Sequence, residues 1–330
     1  MPAQAPTAAP AADTADTNTP DTCAPGTGAP AARALGADPL GTNALGTDAA
    51  GAPTLSPWEL AARGLPESAN LQVDNKYDAL SLIHAAVCND QADTASCLLT
   101  TWSAQFACEL VDLVPDARFS TLMEHAVRKG YTRTAVALLH AKARLNGRVG
   151  SCWSPLMEAA RRGHADTMRM LLCANAGIDL TNCIGRTALM FAADEGHAAC
   201  VQMLVDANAD VNRGDDGGHT ALMSAAYSLQ LFVRTDPTRI VASQGPQASL
   251  SVVSMLLAAN ANVDARDANG RTPLAFAAVS GNASVMSALL AAKAIVHAQD
   301  ENGETPLSRA VKDGHKAVVA ALRRAAKRER

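Results

Sequence analysis

Aromatic residues are scarce in this chain. They make up only 3% of its 330 residues against 48% apolar overall, so buried contacts must come mainly from Ala, Leu, Val and Met. Small, helix-favouring alanine lets helices pack closely, which suits a helical array better than a β-sandwich. Long apolar runs are missing too: no stretch of about 18 apolar residues occurs, so no membrane span is expected. The segment Met1 to Pro10 has no Lys or Arg and no apolar core follows it, so a standard secretory leader is not expected. The eight cysteines (Cys23, Cys88, Cys97, Cys108, Cys152, Cys173, Cys183 and Cys200) form no C-x-x-C pair and no finger spacing with histidine. Reduced thiols in a cytosol-like compartment are expected rather than a disulfide framework or a zinc site.

A surplus of charge is lacking as well. The formal net charge is -4, and residues 1–54 carry all of it with five Asp and one Arg, leaving 27 acidic and 27 basic residues elsewhere. Without a basic excess, nucleic acid is not an expected partner. Residues 1–54 are rich in Ala, Pro, Thr and Gly, with no helical or strand periodicity, so a disordered arm is expected there. Gly41 and Gly46 have the glycine spacing of a phosphate-binding loop, but Thr47 stands where the phosphate-reaching Lys must be. No H-E-x-x-H or G-x-S-x-G motif occurs, and no catalytic, metal or cofactor residue is assigned.

What is present is a period of 33 residues. Ser154, Thr187, Thr220, Thr272 and Thr305 head the phrases SPLMEAARRGH, TALMFAADEGH, TALMSAAY, TPLAFAAVSGN and TPLSRAVKDGH. Three of the four steps are 33 residues, and the step from Thr220 to Thr272 is 52. A fixed period means one small unit that buries its apolar face only against its neighbours. Within DANGRTPLAFAAVSGNASVMSALLAAKA, the Asp267, Asn269 and Gly270 positions make a turn, Thr272 caps a helix and Pro273 opens it. Leu274, Ala277 and Ala278 form the apolar stripe of that short helix, and Gly281 ends it. Val285, Met286, Leu289 and Leu290 form the stripe of a second. Lys293 and its counterparts Asn175, Asn208 and Asn260 are expected to close the second helices in the left-handed conformation. Earlier units hold Leu82, Ala85, Ala86, Leu98 and Leu99, then Leu122, Ala126, Gly130, Leu138 and Leu139. The phrase SPWELAARG in residues 55–74 reads as a degraded copy and a capping helix.

These phrases, together with TALMFAADEGHAACVQMLVDANADVN, resemble the ankyrin-repeat family over residues 75–330. The resemblance implies an all-α solenoid of about seven helix–turn–helix units with hairpin-like turns, behind the arm. It also implies a non-catalytic scaffold or adaptor that binds a protein through turn tips and inner-helix faces. Two alternatives stay open: a secreted effector delivered by its N-terminal arm, and an enzyme with chemistry in the insertion. The family's His after T-P-L is replaced by Met123, Met157, Met190, Met223, Ala275 and Ser308, which removes a local hydrogen-bonding group. The first two units each need a one-residue insertion, and the fifth holds a long one over about 229–250, apolar at its start (Leu229, Leu231, Phe232, Val233).

His164, His197 and His315 each follow Gly and read as structural, not catalytic. Asn212 fits the asparagine that some cells hydroxylate in this family, and reads as an unmodified loop residue. The basic end (Arg323, Arg324, Lys327, Arg328, Arg330) reads as a solvated cap, with a nuclear-import patch as the alternative to a cytoplasmic site. By resemblance, the partner-facing positions are Phe119, Trp153, Arg161, Arg162, Ile184, Arg186, Asp194, Glu195, Asp216, His219, Tyr227, Asn269 and Arg271. Trp, Tyr and Arg dominate interface energies, so Trp153 and Tyr227 are the expected anchors of a strip running over three units of a monomer.

Overall fold

The computed structural model describes residues 76–106, 121–146, 153–227 and 246–328. Among them are fourteen helices and no strand. The helices fall into seven consecutive pairs: α1 (Lys76–Cys88) with α2 (Ala92–Phe106), α3 (Leu122–Lys129) with α4 (Thr132–His140), and α5 (Pro155–Arg162) with α6 (Ala165–Cys173). Next come α7 (Ala188–Asp194) with α8 (Ala198–Asp206), and α9 (Ala221–Tyr227) with α10 (Pro246–Ala258). The last pairs are α11 (Pro273–Ser280) with α12 (Ala283–Ala291), and α13 (Pro306–Lys312) with α14 (Lys316–Arg328). Odd-numbered helices pack on odd-numbered neighbours and even on even, giving two layers. The expected arm and capping helix lie outside the described residues, as does most of the insertion. Residues 246–250, within its expected span, already belong to α10, and Ala248 and Ser249 are buried.

Each unit starts at a side chain that closes its own turn. Asn182, Asp215, Asp267 and Asp300 each accept two backbone amides with one oxygen, from the residues two and four positions on. Such Asx turns fix the hairpin locally. The first helix then begins at a hydroxyl cap. Thr121, Ser154, Thr187, Thr220 and Thr305 accept from the amide three residues on, while the buried hydroxyl of Thr272 has no partner. The lost family histidine is partly replaced: Met157 and Met190 sulfurs accept from the cap amides at 3.5 Å, and Ser308 Oγ does so at 2.9 Å. Sulfur is a weak acceptor, and Ala275 offers none.

Two expectations about the second unit are corrected here. The cap is Thr121, 33 residues before Ser154, so this unit needs no insertion. Glu124, not Met123, therefore takes the position of Met157, and Met123 packs where Leu156 does. The second helices end as expected, with Asn175, Asn208, Asn260 and Lys293 at φ 61 to 64° and Lys142 likewise.

Three sets of contacts tie successive units. The Nε2 atoms of His164, His197 and His315 donate to the carbonyls of Arg128, Arg161 and Val279 in the preceding unit, at 3.2, 3.1 and 2.9 Å. A carbonyl only accepts, so Nε2 carries the proton. These rings lie against Gly130, Gly163 and Gly281. At the far ends of the units, Asn146, Asp179, Asn212 and Asp264 accept from the amides of Gly177, Asp210, Asn262 and Ile295. Asn212 is thus a rung of this ladder. At the turn tips, the amides of Asp216, Ala268 and Glu301 donate to the carbonyls of Ile184, Gly217 and Asn269. The last pair buries least: Pro306, Ala310, Val318 and Leu322 alone, with Val311 and the basic residues Arg323, Arg324, Lys327 and Arg328 in water.

Candidate functional site

Because the units repeat, equivalent positions on the odd helices form rows. The residue before each cap gives Trp153, Arg186, His219, Arg271 and Glu304. One turn into the helix stand Glu158, Phe191, Ser224, Phe276 and Arg309. Near the helix end stand Arg161, Asp194, Tyr227, Val279 and Lys312. Every column of this face differs from its neighbours, whereas the apolar stripe behind it barely changes.

The rows are knitted by ring and ion contacts. Trp153 and Phe191 lie 4.4 Å apart between ring centroids, tilted by 32°. The Arg161 guanidinium sits 5.2 Å from the Trp153 centroid, and that of Arg186 lies 4.5 Å from Phe191. Arg186 also pairs with Asp194 at 3.0 Å. One unit past the insertion, Phe276 receives Arg271 at 4.7 Å, the edge of His219 at 5.1 Å and the edge of Tyr227 at 5.8 Å. Arginine over an aromatic face contributes about 0.5–2 kcal/mol, more as water is excluded.

Buried carboxylates sit behind this face and are matched by cations. Glu158 accepts from Arg128 Nε at 3.3 Å, Arg161 NH2 at 3.1 Å and Arg162 Nε at 3.2 Å. Asp267 is held by Arg271 at 2.7 Å and faces His219 at 3.3 Å. Asp300 pairs with Arg309. Burial alone would raise the pKa of Asp300. Hydrogen bonds from Arg309 and from the amides of Glu304 and Asn302 outweigh that, and its carboxyl titrates below the usual range.

Between these groups runs a groove of about 500 Å³. It gathers six of the expected partner-facing residues: Ile184, Arg186, Asp194, His219, Tyr227 and Arg271. Ile184 and Tyr227, at 54% and 36% exposure, are large apolar side chains that line this groove and still meet water. The other expected residues fall elsewhere. Trp153 is half-buried beneath Arg161, one unit before the groove. Arg161 and Arg162 bind Glu158. Glu195 follows the end of α7 as its cap. Asp216 and Asn269 serve the turn-tip ladder with their backbones, and Phe119 lies outside the described residues. Sequence reasoning missed Glu158, Phe191, Phe276, Asp267 and Arg309. The column Glu158, Phe191, Ser224, Phe276, Arg309 carries a signal that could have found four of these five: it varies inside an otherwise constant phrase.

A family model for ankyrin repeats in three copies matches residues 156–234 and 240–328. With fold and turn chemistry agreeing, the chain belongs to the ankyrin-repeat family. No curated protein matches it. Ankyrin repeats are generally protein–protein interaction modules and typically non-catalytic. Among the described residues no helix is long and apolar enough to cross a membrane, and no His, Cys, Asp and Glu group is arranged to hold a metal ion.

Proposed function

We propose that this protein is a non-catalytic adaptor, monomeric and cytoplasmic, that holds a protein partner on the odd-helix face over the groove. One observation carries this reading: Ile184 and Tyr227 are exposed and line the same groove, beside the matched pairs Arg186–Asp194 and Arg271–Asp267. Exposed apolar anchors within a rim of satisfied polar groups are the arrangement that concentrates binding energy. Cys200 is buried and its thiol is pushed up to about 11 by that burial, so it is protonated at neutral pH.

The test is affinity capture from the source cell, comparing the wild type with Tyr227→Ala and with Ile184→Ala. A partner retained by the wild type and lost by both variants, with unchanged melting curves, is the expected result. A partner that both variants retain would place the interface elsewhere.

A further inference from the structure

Two units before Tyr227, the same face changes character. Glu158 is buried, at 7% side-chain exposure, and three guanidiniums converge on it. Counted by themselves, Glu158 and the three guanidiniums bonded to it carry two more positive charges than negative. The way they converge matters. Arg128 and Arg162 meet Glu158 through Nε, which leaves the terminal nitrogens of each fork turned away from it. Their side chains are 37% and 43% exposed, so those ends reach solvent. The fork of a guanidinium end matches a carboxylate with two parallel hydrogen bonds. Glu158 thus acts as a jig that orients two such ends, and stacking on Trp153 holds the third arginine, Arg161.

We infer that the Arg128–Arg161–Arg162 cluster docks an acidic segment of the protein partner, with Asp or Glu side chains as the groups recognised. This rests on the adaptor reading above and adds the chemistry and spacing of the bound segment. The positive patch is short. In the next unit the positions of Arg161 and Arg162 are taken by Asp194 and Glu195. A long polyanion such as a nucleic acid would run onto those carboxylates, whereas a brief acidic stretch would not. Helix layers stack about 8–10 Å apart, so the Glu158 and Tyr227 layers are roughly 20 Å apart. An extended peptide advances about 3.3 Å per residue, which sets the partner's acidic residues about six positions from its apolar anchor.

The test pans a phage-displayed random dodecapeptide library on the full-length protein and titrates the enriched peptides by fluorescence anisotropy. The expected peptides carry two or more Asp or Glu about six positions from a large apolar residue. Their affinity falls about tenfold in Arg128→Gln/Arg162→Gln, which leaves Arg161 to neutralise Glu158, and about tenfold on raising salt from about 0.05 to about 0.3 M. Glu158→Gln removes one negative charge and keeps one acceptor oxygen, enough for the Nε–H groups of Arg128 and Arg162 that share Oε1, and binding should tighten two- to threefold, about the effect of one partly screened charge. If the double variant unfolds, the salt series and Glu158→Gln decide, and insensitivity to both overturns the inference. Enriched peptides without acidic residues, or no enrichment, overturn it too. Loss of binding in Tyr227→Ala with no response to the arginine variants would leave the groove standing and remove the acidic dock. Peptides indifferent to Tyr227→Ala and to the arginine variants alike would remove both.

Discussion

Trp153 and Tyr227 are both large aromatics on the same face, each in contact with a phenylalanine, yet they are used in opposite ways. Trp153 leans on Phe191 at a tilt of 32° and is roofed by Arg161, which is itself pinned to Glu158. Tyr227 meets Phe276 edge-on at 84° and keeps 36% of its surface in water. The first aromatic binds one unit to the next; the second is offered outward. Residue type alone gives no warning of this. What separates them is the neighbour: a cation with a buried counter-charge closes over the Trp153 ring, whereas among the described residues Tyr227 meets the edge of Phe276.

That contrast can be broken or sharpened by substitution. The largest effect is expected for Trp153→Ala, which strips the cover from Phe191 and the platform from Arg161. It should lower stability by about 3 kcal/mol in denaturant unfolding, while in the folded fraction binding through Tyr227 is little changed and binding through the arginine cluster is weakened. Stability within experimental error of the wild type would show that Trp153 is a surface ornament and dissolve the comparison.

The glycines behind the two corners give a matched pair. Gly163 and Gly196 have nearly the same left-handed backbone, φ 73° and 76°. A Cβ on Gly163 would lie 2.7 Å from the His197 ring, whereas one on Gly196 would meet only Ala248, at 3.5 Å. Gly163→Ala should therefore cost about 2–3 kcal/mol, and Gly196→Ala about 1 kcal/mol from backbone strain alone. Equal costs in thermal melts would mean the imidazole ties contribute nothing.

Tyr227→Ala should shift stability by about 1 kcal/mol or less while weakening partner binding by about 2 kcal/mol or more. A stability loss matching that of Trp153→Ala would make the two corners equivalent after all. Smaller still is the effect expected from deleting residues 229–245. Ala248 and Ser249 must stay, because they are buried in α10. Loop-length changes alter closure entropy by about 0.5 kcal/mol, so the melting curve should hardly move. A collapse of the fold would show that this segment completes the Tyr227 corner.

Acidification provides a control at the other end. Burial lowers the pKa of His84, and burial followed by the charges of His84, Lys129 and Arg128 lowers that of His125. The unfolded chain therefore takes up protons first as pH falls through about 6.5. Stability present above that pH is lost below it, and loss continues until the folded-state values are passed. Amide protection, taken relative to the intrinsic exchange rate at each pH, should fall in α1 and α3 between about pH 7 and pH 5 more than in α7 and α9. A uniform fall in protection would refute that placement of the acid-sensitive groups.

Much of this molecule was legible because its instructions are local. The asparagines that end the second helices act within one or two residues of themselves, and the hydroxyl caps act over three. The second unit misled for the same reason. Matching Leu122-Met123 to Leu156-Met157 by appearance shifts the cap to Ser120, whereas the small residues Ala126 and Val127 and the turn at Gly130 set the true register. The site was only half legible. Columns could be aligned, but which side chain leans on which is decided across units some 30 residues away, as when Arg128 reaches Glu158. Nothing in the local sequence marks Glu158 as a hub, since an exposed and a buried glutamate are written alike.

The ladder through Asn146, Asp179, Asn212 and Asp264 also bears on how the chain is made. Every acceptor belongs to the earlier unit and every donor amide to the later one. During synthesis the acceptor has always emerged first, so each new unit finds a finished template to settle against. Three of the rungs span 31 residues, and only the one from Asn212 to Asn262 spans 50. The longer closure adds about 0.4 kcal/mol of chain entropy, small enough to be tolerated. It still marks a point in vectorial growth where the stack must wait for its next layer.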